Sequence, residues 1–147
     1  PPEGTAMSTR LLIVDDERAL RELLGRHFQR LGYETELAPD GREALAVLAR
    51  TRVDVIVTDI QMPRMDGLEL LARLRADYAT IPTVVMTGYV SLDSAMAAWR
   101  RGAVTLVVKP LADLRPLERA VASCVEHVQR WADLLLELRR LDPSAAA

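Results

Sequence analysis

Five polar residues stand directly after short apolar runs, where chemistry in a folded chain is easiest to place. The stretch "LLIVDDE" carries Asp15 and Asp16, and "DVIVTD" ends in Asp59. The stretches "PTVVMTG" and "TLVVKP" carry Thr87 and Lys109. A carboxylate at the edge of a hydrophobic segment is costly unless something compensates its charge. These residues are therefore the candidates for a functional site.

The chemistry that these residue types support is phosphoryl transfer assisted by a cation. Like charges about 4 Å apart repel by roughly 4 kcal/mol at an effective dielectric near 20. A hard divalent cation relieves that repulsion, and ligands that are all oxygen favour Mg²⁺ over zinc. Lys109 would supply a positive charge and Thr87 a hydroxyl donor for phosphate oxygens, which leaves Asp59 free to attack phosphorus. The pattern predicts that Asp15 and Asp16 hold the metal.

Short apolar runs alternate with helical patterns along the whole chain. Four of the five strand candidates are almost continuously apolar, as in parallel strands covered on both faces, and the second alternates like an edge strand. The predicted strands are Arg10–Val14, Glu34–Ala38, Val53–Thr58, Thr83–Thr87 and Val104–Val108.

The helical patterns lie between these strands. Gly32 closes the first helix, and Ser91 is the predicted N-cap of the fourth, which ends at Gly102. The residues expected to face the core in that fourth helix are Leu92, Ala95, Met96 and Trp99. Strict alternation of strand and helix predicts an α/β fold with a doubly wound parallel sheet and helices on both faces. The candidate residues then meet at the carboxyl edge of that sheet.

Composition limits the class of protein. The chain has 147 residues, 50% hydrophobic and 27% charged, with a net charge of −2, which predicts one domain and no nucleic-acid binding by it. The single Cys124 excludes an internal disulfide. No apolar run is long enough for a membrane span, and the start lacks the apolar segment of a signal peptide. We expect a cytoplasmic protein.

The combination of "VDDE", "VTDIQMPRMDG", "MTG" and "VVKP" resembles the receiver domain of two-component response regulators over residues 9–127. The resemblance implies a flavodoxin-like sheet with strand order 2-1-3-4-5. It also implies a bacterial signalling module rather than an enzyme with an external substrate. Such a module takes a phosphoryl group from a sensor histidine kinase, catalyses its own phosphorylation and dephosphorylation with Mg²⁺, and switches an output surface.

The resemblance also assigns roles to individual residues. It implies that Asp59 is the phosphoacceptor and that Lys109 pairs with the phosphoryl group. It implies Mg²⁺ ligands from the side chains of Asp15, Asp16 and Asp59 and from the backbone carbonyl of Gln61.

The switch residues implied by the resemblance include one departure from the family pattern. Thr87 matches the hydroxyl residue that follows the phosphoryl group on activation, and Pro110 matches a proline preceded by a cis peptide bond. Leu106 stands where the family usually has Tyr or Phe on the fifth strand. The usual inward turn of an aromatic ring is therefore not expected, whereas phosphorylation does not depend on it.

The end of the chain carries a regular heptad pattern. Apolar residues spaced 4-3-4-3-4-3 predict a helix over about 113–141 that outruns the receiver domain; they are Leu117, Val121, Cys124, Val128, Trp131, Leu135 and Leu138. We expect residues 128–147 to form a helical extension with a disordered end, and residues 1–8 to be a disordered start left by cloning. The predicted partner of the seam is the same helix in a second chain, or an output domain absent from this sequence. The alternative is a helix folded back on its own domain.

Three other functions compete with the switch. A Mg²⁺-dependent phosphohydrolase also uses an aspartate nucleophile, but typically with two acids one residue apart after a single strand. A flavin-binding module of the same fold needs a Ser/Thr/Gly-rich phosphate loop, where "DDE" would repel phosphate. A receiver-shaped interaction module that no longer switches remains an alternative because of Leu106.

Overall fold

The computed structural model of the chain describes residues 8–88, 91–109, 112–142 and 144. Five strands and five helices alternate along it, as predicted. The strands are β1 (Arg10–Val14), β2 (Glu34–Ala38), β3 (Val55–Asp59), β4 (Thr83–Thr87) and β5 (Thr105–Val108). The helices are α1 (Arg18–Arg30), α2 (Gly41–Arg50), α3 (Gly67–Asp77), α4 (Leu92–Arg100) and α5 (Arg115–Leu141). The expected cis peptide before Pro110 and residues 1–7 lie outside the described residues.

The strands form one parallel sheet with the order β2-β1-β3-β4-β5, which confirms the predicted flavodoxin-like topology. The order reverses between β1 and β3, so the carboxyl ends of these two strands flank the crevice where ligands bind in open α/β sheets. Asp15 follows β1 directly and Asp59 is the last residue of β3. The topology alone therefore brings both acids to one place.

Two helical layers cover the sheet. Helices α1 and α5 pack on one face through a cluster that includes Leu24, Phe28, Leu117 and Val121. Helices α2, α3 and α4 cover the other face, where residues such as Leu70 are completely buried. Alternate strand residues point to the two layers, which is why the central strands read as continuous apolar runs.

Four predicted boundaries were displaced by two residues or fewer, and one of them is the end of β3, which is Asp59 instead of Thr58. β3 begins at Val55 instead of Val53, because the Asp54 carboxylate accepts a hydrogen bond of 2.8 Å from the backbone N–H of Arg10 and ends the loop there. β5 begins at Thr105 instead of Val104. α5 begins at Arg115 instead of Asp113, because the Asp113 side chain accepts from the Arg115 backbone N–H at 3.0 Å, as a residue before a helix does.

The predicted inward face of α4 was wrong for its two largest residues. Leu92 and Trp99 are 77% and 71% exposed. The only fully buried residue of this helix is Ala98, whereas Ala95 and Met96 are half-buried. Small side chains let the helix axis approach the sheet, so the core-facing stripe runs through them and turns the bulky residues outward. The predicted N-cap at Ser91 is confirmed by reciprocal hydrogen bonds with Ser94.

Helix α5 is 27 residues long and only its first half packs on the sheet. Leu117, Val121 and Cys124 are buried, and Val128 is half-buried. Every residue from 131 to 142 is exposed. The alternative in which this helix folds back on its own domain therefore has no support within the described part of the chain. A membrane span needs a long and strongly apolar helix, and the described part of the chain contains none.

Candidate functional site

Asp15 is held rigidly at the end of β1. Its side chain is fully buried, and its Oδ1 accepts a hydrogen bond from the backbone N–H of Glu17 at 2.8 Å. Its own backbone N–H donates to the carbonyl of Ala38 on β2, and its carbonyl accepts from the guanidinium of Arg21 at 2.7 Å. The main chain on both sides of the carboxylate is thus fixed by neighbouring elements.

Asp59 ends β3 and presents one carboxylate oxygen to the backbone that follows it. Its Oδ1 accepts hydrogen bonds from the N–H groups of Ile60 at 2.7 Å and Gln61 at 3.3 Å. The chain then leaves the strand through a loop, residues 60–66, and returns at Gly67, whose N–H donates to the Ile60 carbonyl at 2.8 Å. A Cβ at Gly67 would overlap the carbonyl oxygen of Asp59, so only glycine allows this closure.

Lys109 joins the two acids. Its Nζ lies 2.6 Å from Asp15 Oδ2 and 2.9 Å from Asp59 Oδ2, and all three side chains are largely shielded from water. The backbone N–H of Lys109 donates to the carbonyl of Thr87 at 2.9 Å, which fixes the lysine relative to β4. One ammonium therefore compensates two carboxylates at the crevice.

A third carboxylate completes the cluster. One oxygen from each of Asp15, Asp16 and Asp59 lies within 4.8 Å of the others, so a single cation can reach all three. Asp16 is exposed, whereas the other two are buried. A set of oxygen ligands that opens to water on one side fits a hard divalent cation, which retains part of its hydration shell.

Burial and pairing act in opposite directions on the ionisation of this site. Burial is the largest influence on Asp15 and raises its pKa, against the opposing effect of the hydrogen bond from Lys109. Burial pushes the pKa of Lys109 down, but the hydrogen bonds to Asp15 and Asp59 outweigh it and raise that pKa. The lysine is thus held charged, and Asp15 is a carboxylate that ionises reluctantly.

The other predicted residues lie at or near the same edge. Thr87 is buried at the end of β4, beside Val108 of β5. Leu106 is half-buried and packs against a cluster on the α3 and α4 side of the sheet. Pro110 lies outside the described residues.

Two polar contacts were missed by the sequence reasoning. His27 lies on α1, and its Nε2 is 2.6 Å from Glu118 Oε1, a contact that joins α1 to α5. Asp40, the N-cap of α2, is 1% exposed and bonds both the Glu43 N–H and the Nε of Arg64. The dipeptide Asp40–Gly41 is a recognisable helix start, but its contact with Arg64 joins distant parts of the chain.

The fold and the carboxylate cluster define the class of the protein as a doubly wound α/β domain with an acidic crevice at the carboxyl edge of its sheet. A model of the response regulator receiver domain matches residues 11–122, most of the chain. The chain belongs to this family, as the sequence motifs indicated: it is a receiver domain of a two-component response regulator.

Relatives of known sequence agree with the family. The response regulator MprA of Mycobacterium bovis BCG is 44% identical over 140 residues, covering 89% of this chain and 61% of that protein. MprA of Mycolicibacterium vanbaalenii is 44% identical over 106 residues, covering 72% and 46%. The chain thus spans between 46% and 61% of the length of these relatives.

Solved structures agree with the fold. A CheY-like receiver domain from Methanospirillum hungatei has a TM-score of 0.81 at 27% identity, covering 84% of this chain and 98% of that chain. The response regulator TrrA of Thermotoga maritima, solved in complex with Mg(2+)-BeF, has a TM-score of 0.72 at 33% identity, covering 79% and 98%.

Because the pKa of Asp15 is raised, replacing this residue by a neutral one should stabilise the fold, and the gain should depend on pH. The raised pKa means that the folded state binds this proton more tightly than the unfolded state, whose value is near 3.8. Folding stability is therefore lost as the pH rises from about 4 through the folded pKa. In metal-free buffer, Asp15→Asn should raise the unfolding temperature by a few degrees at neutral pH, and the difference should close towards pH 4.

The matched control for this thermal scan is Asp113→Asn. The pKa of exposed Asp113 is lowered by Arg115, so this substitution should give no gain at neutral pH. An Asp15→Asn variant that is no more stable than the parent at neutral pH would contradict the electrostatic account of the site.

Proposed function

We propose that the domain accepts a phosphoryl group on Asp59 from a sensor histidine kinase and thereby changes its output surface. The observation that carries this proposal is Lys109, whose Nζ lies 2.9 Å from Asp59 Oδ2 and 2.6 Å from Asp15 Oδ2. The three-carboxylate cluster and the family of the chain support it. In keeping with that role, we propose that the domain works in the cytoplasm and acts on no external substrate.

The transfer is an exchange of one bond to phosphorus for another. A carboxylate oxygen of Asp59 bonds to phosphorus while the bond to the donor nitrogen of the kinase's phosphohistidine breaks. The electron pair stays on the imidazole, which takes up a proton from water. Lys109 is already within hydrogen-bond distance of Asp59, so its ammonium can pair with the negative charge that arrives there. In the later hydrolysis, a water oxygen bonds to phosphorus while the bond to the Asp59 oxygen breaks, which releases inorganic phosphate and restores the Asp59 carboxylate.

Magnesium is the proposed cofactor. The side chains of Asp15, Asp16 and Asp59 and the backbone carbonyl of Gln61 would hold it. When bound, it supplies positive charge to phosphoryl oxygens. The donor set supports this choice, since it offers oxygen ligands only, with Asp16 open to water.

The proposed switch runs from Asp59 to β4 and β5. Thr87 ends the strand next to Asp59, and its hydroxyl is the proposed donor to the phosphoryl group. Its carbonyl accepts from the Lys109 N–H at 2.9 Å, so a shift of Thr87 also moves the end of β5. We propose that this backbone link transmits the change, because Leu106 offers no ring to turn inward. A receiver that is phosphorylated without switching is the second candidate, favoured by the same leucine.

Phosphorylation of Asp59 is tested by intact mass. With Mg²⁺ and phosphoramidate or acetyl phosphate, the parent should gain one phosphoryl group, because Asp59 is the carboxylate beside both Lys109 and the acidic cluster. Asp59→Asn should abolish the gain. Asp54→Asn, at the opposite edge of the sheet, is the matched control and should be modified like the parent. Equal modification of the Asp59→Asn protein would remove this residue from the proposed role.

We also propose a parallel homodimer through the exposed half of α5, with both Asp59 sites facing away from the seam. Trp131, Leu135 and Leu138 continue the heptad seam and are 54%, 59% and 50% exposed. Burying the exposed fraction of these three side chains in two chains should yield about 5–10 kcal/mol. This exceeds the lower end of association costs by a few kcal/mol, so we expect a weak dimer. The partial coverage of longer relatives supports an output domain that such a helix would connect.

Dimerisation is tested by sedimentation. The full chain should associate at about 500 micromolar, whereas a chain ending at Val128 should be monomeric, because it lacks the exposed half of the seam. Leu135→Glu should also dissociate the dimer, and Leu136→Glu, at an exposed position on the side of the helix away from the seam, should not. A full chain that stays monomeric at this concentration would exclude the homodimer.

A further inference from the structure

The loop that follows Asp59 is tied to the start of α2 by a buried charge. Asp40 caps this helix by accepting from the Glu43 N–H at 2.9 Å, and its second oxygen accepts from Arg64 Nε at 2.7 Å. Its side chain is 1% exposed, whereas that of Arg64 is 60% exposed and reaches inward from the loop. Burial opposes ionisation of Asp40, but the hydrogen bonds from Glu43 and Arg64 prevail and lower its pKa. The buried carboxylate of Asp40 is thus kept charged, and it holds the loop of residues 60–66 through Arg64.

A second tie lies beside the first. The backbone N–H of Gly41 donates to the carbonyl of Met65 at 3.1 Å. A Cβ at Gly41 would come within 2.7 Å of the Met65 side chain, so the loop rests directly on the backbone of the helix start. Asp40 and Gly41 together therefore hold two successive residues of the loop.

The residue held by Asp40 has an unfavourable backbone conformation. Arg64 has a φ of 67°, and among the described residues no other non-glycine has positive φ. Such a conformation persists only where the surrounding contacts compensate its cost, and it often marks a functional site. Two contacts compensate the cost at Arg64: its ion pair with Asp40, and the hydrogen bond that the carbonyl of Met65 accepts from Gly41.

The other end of the same loop touches the acceptor carboxylate. Ile60 and Gln61 donate their backbone N–H groups to Asp59 Oδ1, the second at a longer 3.3 Å. Gln61 is also the residue whose carbonyl is the proposed metal ligand. Only Met62 and Pro63 separate Gln61 from Arg64. Release of Arg64 would free this short segment to move Gln61 away from Asp59.

We propose that Asp40 and Arg64 are positioning residues for phosphoryl transfer: their ion pair fixes the loop, residues 60–66, and so sets the geometry of Gln61 at Asp59. This inference rests on the proposed phosphorylation of Asp59. It assigns the start of α2 a part in the reaction, although neither Asp40 nor Arg64 contacts Asp59. The pair acts on how readily the site takes up Mg²⁺ more than on the chemistry after uptake.

Three variants separate positioning from general stability. Asp40→Asn keeps an acceptor for the Glu43 N–H, because asparagine is an equally good N-cap, but it loses the charge that binds Arg64. Arg64→Gly removes the same ion pair from the other side and adopts positive φ without strain. The double variant tests whether the two residues act as one unit. Asp66→Asn is the matched control, since Asp66 caps α3 through the Glu69 N–H at 2.9 Å at the end of the same loop.

Three readouts are used on the full chain. Amide hydrogen exchange in metal-free buffer reports the bonds donated by Gln61 and Gly67. Amide chemical shifts during titration with Mg²⁺ report binding directly. The rate of phosphorylation by phosphoramidate, measured against Mg²⁺ concentration, separates half-saturation from the saturated rate.

Each single variant should speed exchange at these two amides by roughly tenfold and leave core strands unchanged. The Mg²⁺ concentration for half-saturation should rise by about three- to tenfold, with the saturated rate changed by less than about twofold. The double variant should match the singles, and Asp66→Asn should match the parent.

The proposal is overturned by variants whose loop exchange and Mg²⁺ titration equal those of the parent. It is also overturned if Asp40→Asn speeds exchange throughout the domain and Arg64→Gly has no effect, because Asp40 then serves only as a helix cap. A parent that phosphoramidate does not modify would contradict the proposed function instead, and the metal-free exchange would still decide whether the ion pair holds the loop.

Discussion

The ion pair of Lys109 with Asp15 and Asp59 is the interaction on which the rest of the site depends. Three carboxylates lie within reach of one cation at the crevice between β1 and β3. They meet there because β1 and β3 are parallel neighbours and acidic residues stand at the carboxyl ends of both strands. Lys109 compensates the charges of Asp15 and Asp59, and the side chains of all three residues are largely buried. Among the described residues, one carboxylate of the site is therefore left without a paired cation. Binding of a metal ion or a phosphoryl group would change the net charge of the site directly.

The surrounding strands, helices and loops fix the positions of the charged groups. Arg21 of α1 and Ala38 of β2 fix the main chain at Asp15, and Gly67 closes the loop after Asp59. The start of α2 holds the same loop through Asp40. On the other side, the backbone bond between Lys109 and Thr87 connects the crevice to β4 and β5. Asp59 thus lies between two regions. The loop and the start of α2 on one side are fixed by hydrogen bonds, and β4 and β5 on the other side belong to the proposed output surface.

How far the sequence predicts this structure depends on whether a feature follows from the pattern of strands and helices or from one contact between distant side chains. The meeting of Asp15, Asp59 and Lys109 at one edge was predictable, because apolar runs that end in polar residues mark the carboxyl ends of parallel strands. The strand order was implied by the resemblance to receiver domains. The outward position of Trp99 was not, because hydrophobic periodicity favours large residues, whereas α4 packs through small ones. The contacts of Asp40 with Arg64 and of His27 with Glu118 join separate elements. Helix periodicity contains no information about such pairs.

Lys109 stabilises the two buried carboxylates of Asp15 and Asp59 in their charged form, and a carboxyl-carbon NMR titration of Asp15 in metal-free buffer tests this most directly. The parent should titrate above the ordinary aspartate range, because burial raises the pKa of Asp15 in spite of the lysine. In Lys109→Gln the midpoint should move higher still, since the hydrogen bond and charge that oppose burial are gone. A midpoint in the ordinary range that is unaffected by Lys109→Gln would contradict the account.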